Sequence, residues 1–244
     1  MRKTVLTLGI IFILTSVFAQ KTEFRLGFNS GLFSFAGKSS ESTTFINSAT
    51  TSVPTQLNKS YTNNPYGSKN GLCYGISANV KRVTKWKFIY GVDLGYEMLR
   101  SKIAIDEVNA YPSALSSIST LYPASGKTYI NFSFINLQPF AGYRFVLKPL
   151  HIDITAGLDI GRCLQAKEKG SADASNGLSY KTSEDRKTIT TDIRPRMQLS
   201  ADYKKFGAYV GYSVGQVNYK SGYVGGTNES YSRILRFGVT YLLF

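Results

Sequence analysis

His151 is the single histidine of the chain, and Asp153 follows two residues later. Positions two apart on a strand share a face, so this carboxylate could orient the imidazole for proton transfer. A nucleophilic site would also need a serine, and Ser200 and Ser213 are the candidates in matching phase. Nothing in the sequence places either beside the pair, and a lone histidine near an aspartate is the ordinary composition of a buried polar network. Cys73 and Cys163 with one histidine supply too few spaced ligands for zinc. No Gly-rich phosphate loop precedes a helix. The reading is therefore no catalytic residue, no cofactor site and no metal site.

The other residues able to do chemistry form a charged set: Asp93, Glu97, His151, Asp153, Asp159, Asp192, Arg194, Arg196, Asp202 and Arg236. They fall in one phase of segments that alternate with period two. Eight such segments run from Thr22 to Phe35, Leu72 to Lys81, Trp86 to Leu99, Thr128 to Phe145, Leu150 to Gln165, Ile189 to Tyr203, Phe206 to Val217, and Arg233 to Phe244. The fourth loses its phase near Phe134-Ile135, which predicts a bulge there. The connections run long, short, long, short, long, short, moderate. The long ones are Ala36 to Gly71, Lys102 to Lys127 and Ala166 to Lys187. The moderate one is Asn218 to Glu229, and the short ones lie near Arg82–Lys85, Val146–Pro149 and Lys204–Lys205. An even number of strands with long and short connections on opposite rims is the arrangement of an up-and-down barrel. The first long connection is rich in Ser, Thr and Asn and reads as a mobile loop.

The front of the chain carries an export signature. Arg2 and Lys3 precede an apolar run from Val5 to Leu14, and Val17-Phe18-Ala19 offers a cleavage site. The run is shorter than the ~20 residues of a membrane helix. Residues 1–19 are read as a signal peptide and 20–244 as one domain. Composition fits one large all-β domain: Tyr 17, Phe 15 and Gly 22, with a single Trp. The formal net charge of +14 raises nucleic acid as a partner, but the bases are dispersed over strands and turns of an exported chain. No nucleic-acid role is assigned.

Alternation alone does not say which face is inside, since a soluble barrel of lipocalin type would show the same period. Three features favour apolar side chains outward. Glycines crowd the polar phase (Gly75, Gly91, Gly157, Gly161, Gly207 and Gly211 among them), where they make room for long neighbours in a narrow lumen. Aromatic residues mark the ends of the apolar phase, at Trp86, Tyr96, Tyr203, Phe206 and Tyr241. The segments also exceed the ~9–11 residues a tilted membrane strand requires.

From the fourth segment onward the chain resembles the PorT-like, or porin-family, outer-membrane β-barrel proteins of Gram-negative bacteria. The stretches that carry the resemblance are Ile135-Asn-Leu-Gln-Pro139-Phe-Ala-Gly-Tyr143-Arg-Phe145, Ile154-Thr-Ala-Gly157-Leu-Asp-Ile-Gly161-Arg-Cys-Leu-Gln-Ala-Lys167, Asp192-Ile-Arg-Pro-Arg-Met-Gln-Leu199, Gly211-Tyr-Ser-Val-Gly215-Gln-Val-Asn218 and Gly238-Val-Thr-Tyr241-Leu-Leu-Phe244. Two positions depart from the pattern. Gln138 stands where such chains carry an acid, and Phe244 lies one residue out of phase with Leu235, Phe237, Val239, Tyr241 and Leu243. The resemblance implies an outer-membrane location and, through the PorT name, a part in type IX secretion.

Taken together, the expectations are as follows. The fold is an all-β, eight-stranded antiparallel up-and-down transmembrane barrel with long extracellular loops and short periplasmic turns. It sits in the outer membrane as a monomer among lipid, is not an enzyme, and has a structural or surface-contact role through its loops. The alternatives are a secretion or envelope assembly with a protein partner, or a narrow pore. The polar phase forms a salt-bridged plug, with a thin water path as the competing reading. Cys73 and Cys163 lie on the second and fifth segments, too far apart for the ~7 Å a disulfide spans. Lys81, Arg82, Lys85, Lys87, Arg144, Lys148, Lys204 and Lys205 gather near the short turns and are read as attracted to anionic headgroups. The loop after the fifth segment mixes Lys167, Glu168, Lys169, Asp173, Lys181, Glu184, Asp185, Arg186 and Lys187, so strong capture of one ligand charge is not expected there.

Overall fold

The computed structural model of the chain describes residues 21–48, 60–111, 118–186, 188–223 and 228–244. The expected signal segment, 1–19, lies outside them. The eleven strands are β1 (Lys21–Ala36), β2 (Thr43–Asn47), β3 (Tyr61–Thr62), β4 (Lys69–Val83), β5 (Phe88–Ala110), β6 (Thr120–Leu147), β7 (Leu150–Ala174), β8 (Ser179–Asp185), β9 (Thr191–Tyr203), β10 (Phe206–Val214) and β11 (Tyr231–Leu242).

Eight of these close a ring, in the order β1-β4-β5-β6-β7-β9-β10-β11. Each is antiparallel to its neighbours, and β11 pairs back onto β1 from Arg25↔Leu242 to Ala36↔Tyr231. Closure leaves no edge with unpaired amides, the condition for strands to sit in hydrocarbon. Short turns join β4 to β5, β6 to β7 and β9 to β10, all at the end where the described chain starts and stops. Lys87 (φ 67°) and Lys204 (φ 54°) take left-handed conformations in two of them.

Alternation sorts the side chains. Leu26, Phe28, Ile76, Phe88, Leu94, Leu137, Ile154, Met197, Phe237 and Val239 stand on the outer wall. The inner wall is charged, with Arg194 and Arg236 at 0% exposure and Met197 on the outside at 67%. A water-soluble barrel is built the other way round. At about 25 cal/mol per Å², an apolar wall of this extent is stable only against lipid.

Phe244 leaves the alternation because the last pairing is bulged. Phe24 accepts from Leu243 N (2.8 Å) and donates its N–H to Phe244 O (3.0 Å), so two residues of the terminal stretch face one. The Phe244 ring then lies 4.6 Å from that of Phe24.

The bulge expected near Phe134-Ile135 lies on the partner strand instead. Inward positions of β6 keep one parity from Thr128 through Arg144. Against β7, Ser133 faces Gln165 and Phe134 faces Cys163, so Leu164 is the extra residue. The apparent loss of phase in β6 has a chemical cause. Its inward side chains are Ile130, Phe132 and Phe134 near the long-loop end, and Asn136, Gln138 and Arg144 below.

The long connections are largely folded. β5, β6 and β7 continue past the barrel, joined by β8 on β7 and by β2, which runs parallel to β5 and carries β3. Ile46, Ile105, Val108, Ala110, Ala172 and Ala174 form a small core for this wall. The expectation of a mobile first loop is corrected for residues 43–47 and 61–62, which are strands; residues 49–59 lie outside the described residues.

Candidate functional site

The barrel interior is stacked in three layers. The layer nearest the short turns joins Glu23, Arg25, Lys81, Arg144, Asp153 and Asp202. Lys81 Nζ donates to Asp153 Oδ2 (2.6 Å) and Asp202 Oδ2 (3.1 Å). Arg144 Nε reaches Asp153 Oδ1 (2.7 Å), its Nη1 reaches Glu23 Oε1 (2.8 Å), and Arg25 Nη1 reaches Asp202 Oδ1 (2.8 Å). Three acids meet three bases, and the six side chains come from five strands. None of the pairs Lys81–Asp202, Arg144–Glu23 or Arg25–Asp202 joins strands that are neighbours in the ring. They cross the lumen.

The middle layer joins Glu97, Asp159, Asp192, Arg194, Arg196 and Arg236. Arg236 Nε donates to Glu97 Oε1 (2.6 Å) and its Nη2 pairs with Asp159 Oδ2 (2.9 Å). Arg196 Nη1 reaches Asp159 Oδ1 (3.4 Å), and Arg194 lies within 3.7 Å of Asp159 and 3.6 Å of Asp192. Buried charges are costly unless matched and hydrogen-bonded. Both layers balance three acids against three bases, but in the middle one Arg194 Nε and Nη1, Arg196 Nε, Asp159 Oδ2 and Asp192 Oδ1 have no hydrogen-bond partner among the described residues and are held by charge proximity alone. Asn136 links Arg194 Nη2 (2.8 Å) to the Glu97 carboxylate. Gly161 makes room here: a methyl at this position would sit 2.6 Å from Asn136 Oδ1 and 2.9 Å from Arg194 Nη2, so both side chains would have to shift.

Above them lies an apolar layer of Phe33, Phe35, Phe132, Phe134, Tyr66 and Tyr219. Phe33 and Phe132, from strands that are not neighbours, bring their rings to 6.1 Å. The Tyr219 hydroxyl donates to Asp192 Oδ2 (2.7 Å), and Arg194 lies 5.2 Å over the Phe134 ring, so this layer is tied to the charges beneath. Between the two charged layers is a cavity of about 40 Å³ lined by Arg25, Lys81, Asp93, Gln138, Tyr209 and others, room for a few waters at most.

Among the residues singled out from sequence, Glu97, Asp153, Asp159, Asp192, Arg194, Arg196 and Arg236 are buried in these layers. Asp93 is half-buried beside the cavity and accepts from Ser77 Oγ (3.2 Å). His151 is half-buried at the short-turn rim, opposite Asp202, and belongs to none of the ion pairs among the described residues. Ser200 lies opposite Asp153, and Ser213 is bonded to Arg236. Both aspartates near His151 are engaged by Lys81, Arg144 and Arg25, so the imidazole has no free carboxylate to orient it. Cys73 and Cys163 are unbridged.

Lys81 and Arg144 are a correction. Read from their nearness to the turns as bases facing headgroups, they are buried and paired inside the barrel. Glu23 and Arg25 were missed altogether. The signal was present: Arg144 shares parity with Asn136 and Gln138, and Glu23 and Arg25 with Asn29. Arg82 is half-buried, while Lys85, Lys87, Lys148, Lys204 and Lys205 are exposed at the turns.

No family model and no curated protein sequence matches the chain. Solved structures do. Neisserial surface protein A is 14% identical, with 91% of this chain and 98% of that one covered at a TM-score of 0.36. Ail, the attachment invasion locus protein of Yersinia pestis, solved with the heparin analogue sucrose octasulfate, is 10% identical over 92% and 98% at 0.36. The translocator domain of the autotransporter NalP from Neisseria meningitidis is 10% identical over 98% and 95% at 0.29.

Proposed function

We propose that the chain is a non-enzymatic integral barrel of the bacterial outer membrane, exported by the segment 1–19, that presents its long-loop wall as a contact surface outside the cell. One observation carries this reading. The lumen is closed by matched charge and aromatic packing, while β2, β5, β6, β7 and β8 build a platform with its own core beyond the apolar belt. A closed interior has little to transport, and a braced platform is suited to contact. Replacing residues 171–183 by a short Gly-Ser turn removes the tip of the β7–β8 hairpin. The variant is expected to fold and insert as the parent does, judged by heat-modifiable gel migration, and to lose binding of cells to host or neighbouring surfaces. Unchanged adherence would refute the contact role.

A second reading rests on the resemblance of Ile135 to Phe145 and the following stretches to PorT-like chains. A deletion strain that fails to secrete proteins of the type IX route, with a stoichiometric envelope partner on the barrel after mild detergent extraction, would favour that assembly role. A narrow pore has less support, since Lys81–Asp202 and Phe33–Phe132 both bridge the lumen.

A further inference from the structure

The mixed charges of the outer connections are sorted by the strands that carry them. On β7, the extra residue at Leu164 shifts the parity, so Glu168 turns inward and is buried while Lys167 and Lys169 turn outward. Glu168 accepts from Thr62 N (2.8 Å) and is paired with Arg186. On the outer face, cross-strand register then aligns three rows: Arg100, Asn131, Lys167 and Asp185; Lys102, Tyr129, Lys169 and Ser183; Ala104, Lys127, Ser171 and Lys181. Six bases share the face. Asp185 is the acid within the rows, and Asp106, Glu107 and Asp173 stand beyond them, the last bonded to Ser179. Arg100 is held in place by Asn131 Oδ1 (2.6 Å) and by the Tyr129 ring, 5.4 Å from its guanidinium. Lys127 Nζ lies 5.9 Å from the same ring.

The height of this face identifies its ligand. Exposed apolar side chains run from Phe88 to Tyr96 on β5, from Ile135 to Phe145 on β6 and from Ile154 to Ile160 on β7, where Arg162 then faces outward level with Ile135. The stretches on β5 and β6 match the ~9–11 residues in which a tilted strand crosses hydrocarbon. The row of Met98, Ser133 and Gln165 comes next, and Arg100, Asn131 and Lys167 form the row after it. Building on the membrane reading above, we propose that this face binds the phosphate groups of phosphorylated lipid in the outer leaflet, lipid A being the chemical class. The expectation that this mixed-sign region captures no one charge is thereby revised.

The test uses the full mature chain in nanodiscs and measures the affinity of bis-phosphorylated lipid A against chemically dephosphorylated lipid A. The parent is expected to prefer the phosphorylated form, with the preference shrinking as salt rises. Lys102→Gln/Lys127→Gln/Lys169→Gln should weaken that binding about 100-fold, from ~1 kcal/mol per base near a charged surface. Lys38→Gln/Lys220→Gln, on other parts of the same rim, should bind as the parent does. Equal affinity for both lipids, or a triple variant that binds like the parent, overturns the proposal. If the triple variant does not fold, the parent's discrimination between the two lipids decides alone. Liposome flotation separates the two levels: a chain that floats without discriminating refutes only this inference, and one that does not float refutes the membrane reading.

Discussion

Arg236 shows how single side chains hold this interior. Buried, it satisfies Glu97 and Asp159 together. Arg236→Met leaves Glu97 without its principal base, and breaking one partner of a buried pair costs about 3–5 kcal/mol. Urea unfolding in detergent should register a loss of that size. Adding Glu97→Gln should recover part of it, because the orphaned charge is then gone; a double variant no better than the single would show that the pair is not coupled. Gly161→Ala forces a methyl against Asn136 and Arg194 and should destabilise by about 1–3 kcal/mol in the same assay. At this scale the sequence was legible wherever parity was unambiguous. Asp159, Arg194 and Arg236 sit mid-strand, flanked on both sides by apolar residues of the other phase. Glu23, Arg25, Lys81 and Arg144 sit near strand ends, where a polar residue fits an inner wall and a wet rim equally well, and proximity to a turn outweighed parity.

β2, β3 and β8 fall in stretches that read as loop, whereas the eight barrel strands were legible in number and order because period two survives in each of them. Their length was not. β5, β6 and β7 run on past Lys102, Lys127 and Ala166, where the inner face turns to small or polar residues on β6 and β7 (Gly126, Thr128, Glu168, Gly170) and the irregularity at Asp106 interrupts the apolar phase of β5, so the contrast that marks a strand fades. The same ambiguity hid the position of the bulge. Phe132 and Phe134 point inward, yet an aromatic residue in an alternating strand suggests the lipid side. Deleting Leu164 tests this account. Without the extra residue, the upper part of β7 reverses its faces, sending Glu168 outward and Lys167 and Lys169 inward. The barrel should still form while the β7–β8 hairpin becomes open to protease; a hairpin as resistant as the parent's would contradict the register described here.

For the molecule as a whole, the outer wall sets the energetic scale. An arginine near the bilayer midplane costs a transmembrane barrel about 2–4 kcal/mol and much less near the rims. Leu94→Arg, in the middle of the β5 belt, should therefore impair folding into liposomes far more than Phe88→Arg at its edge, as read by the fraction reaching the heat-modifiable form. Equal impairment would mean that hydrocarbon does not surround the wall.

The bases on either side of that wall have a mechanical consequence. Lys85, Lys87, Lys148, Lys204 and Lys205 stand below the aromatic residues of the short-turn rim, and Arg100, Lys102, Lys127, Lys167 and Lys169 stand above the opposite edge. A rise or sinking of a few ångströms would drag ammonium groups into oil on one side and leave Phe88, Tyr143 or Leu164 in water on the other. The cylinder's draught is thus pinned from both ends at once, and the folded long-loop wall is held at a fixed height above the hydrocarbon.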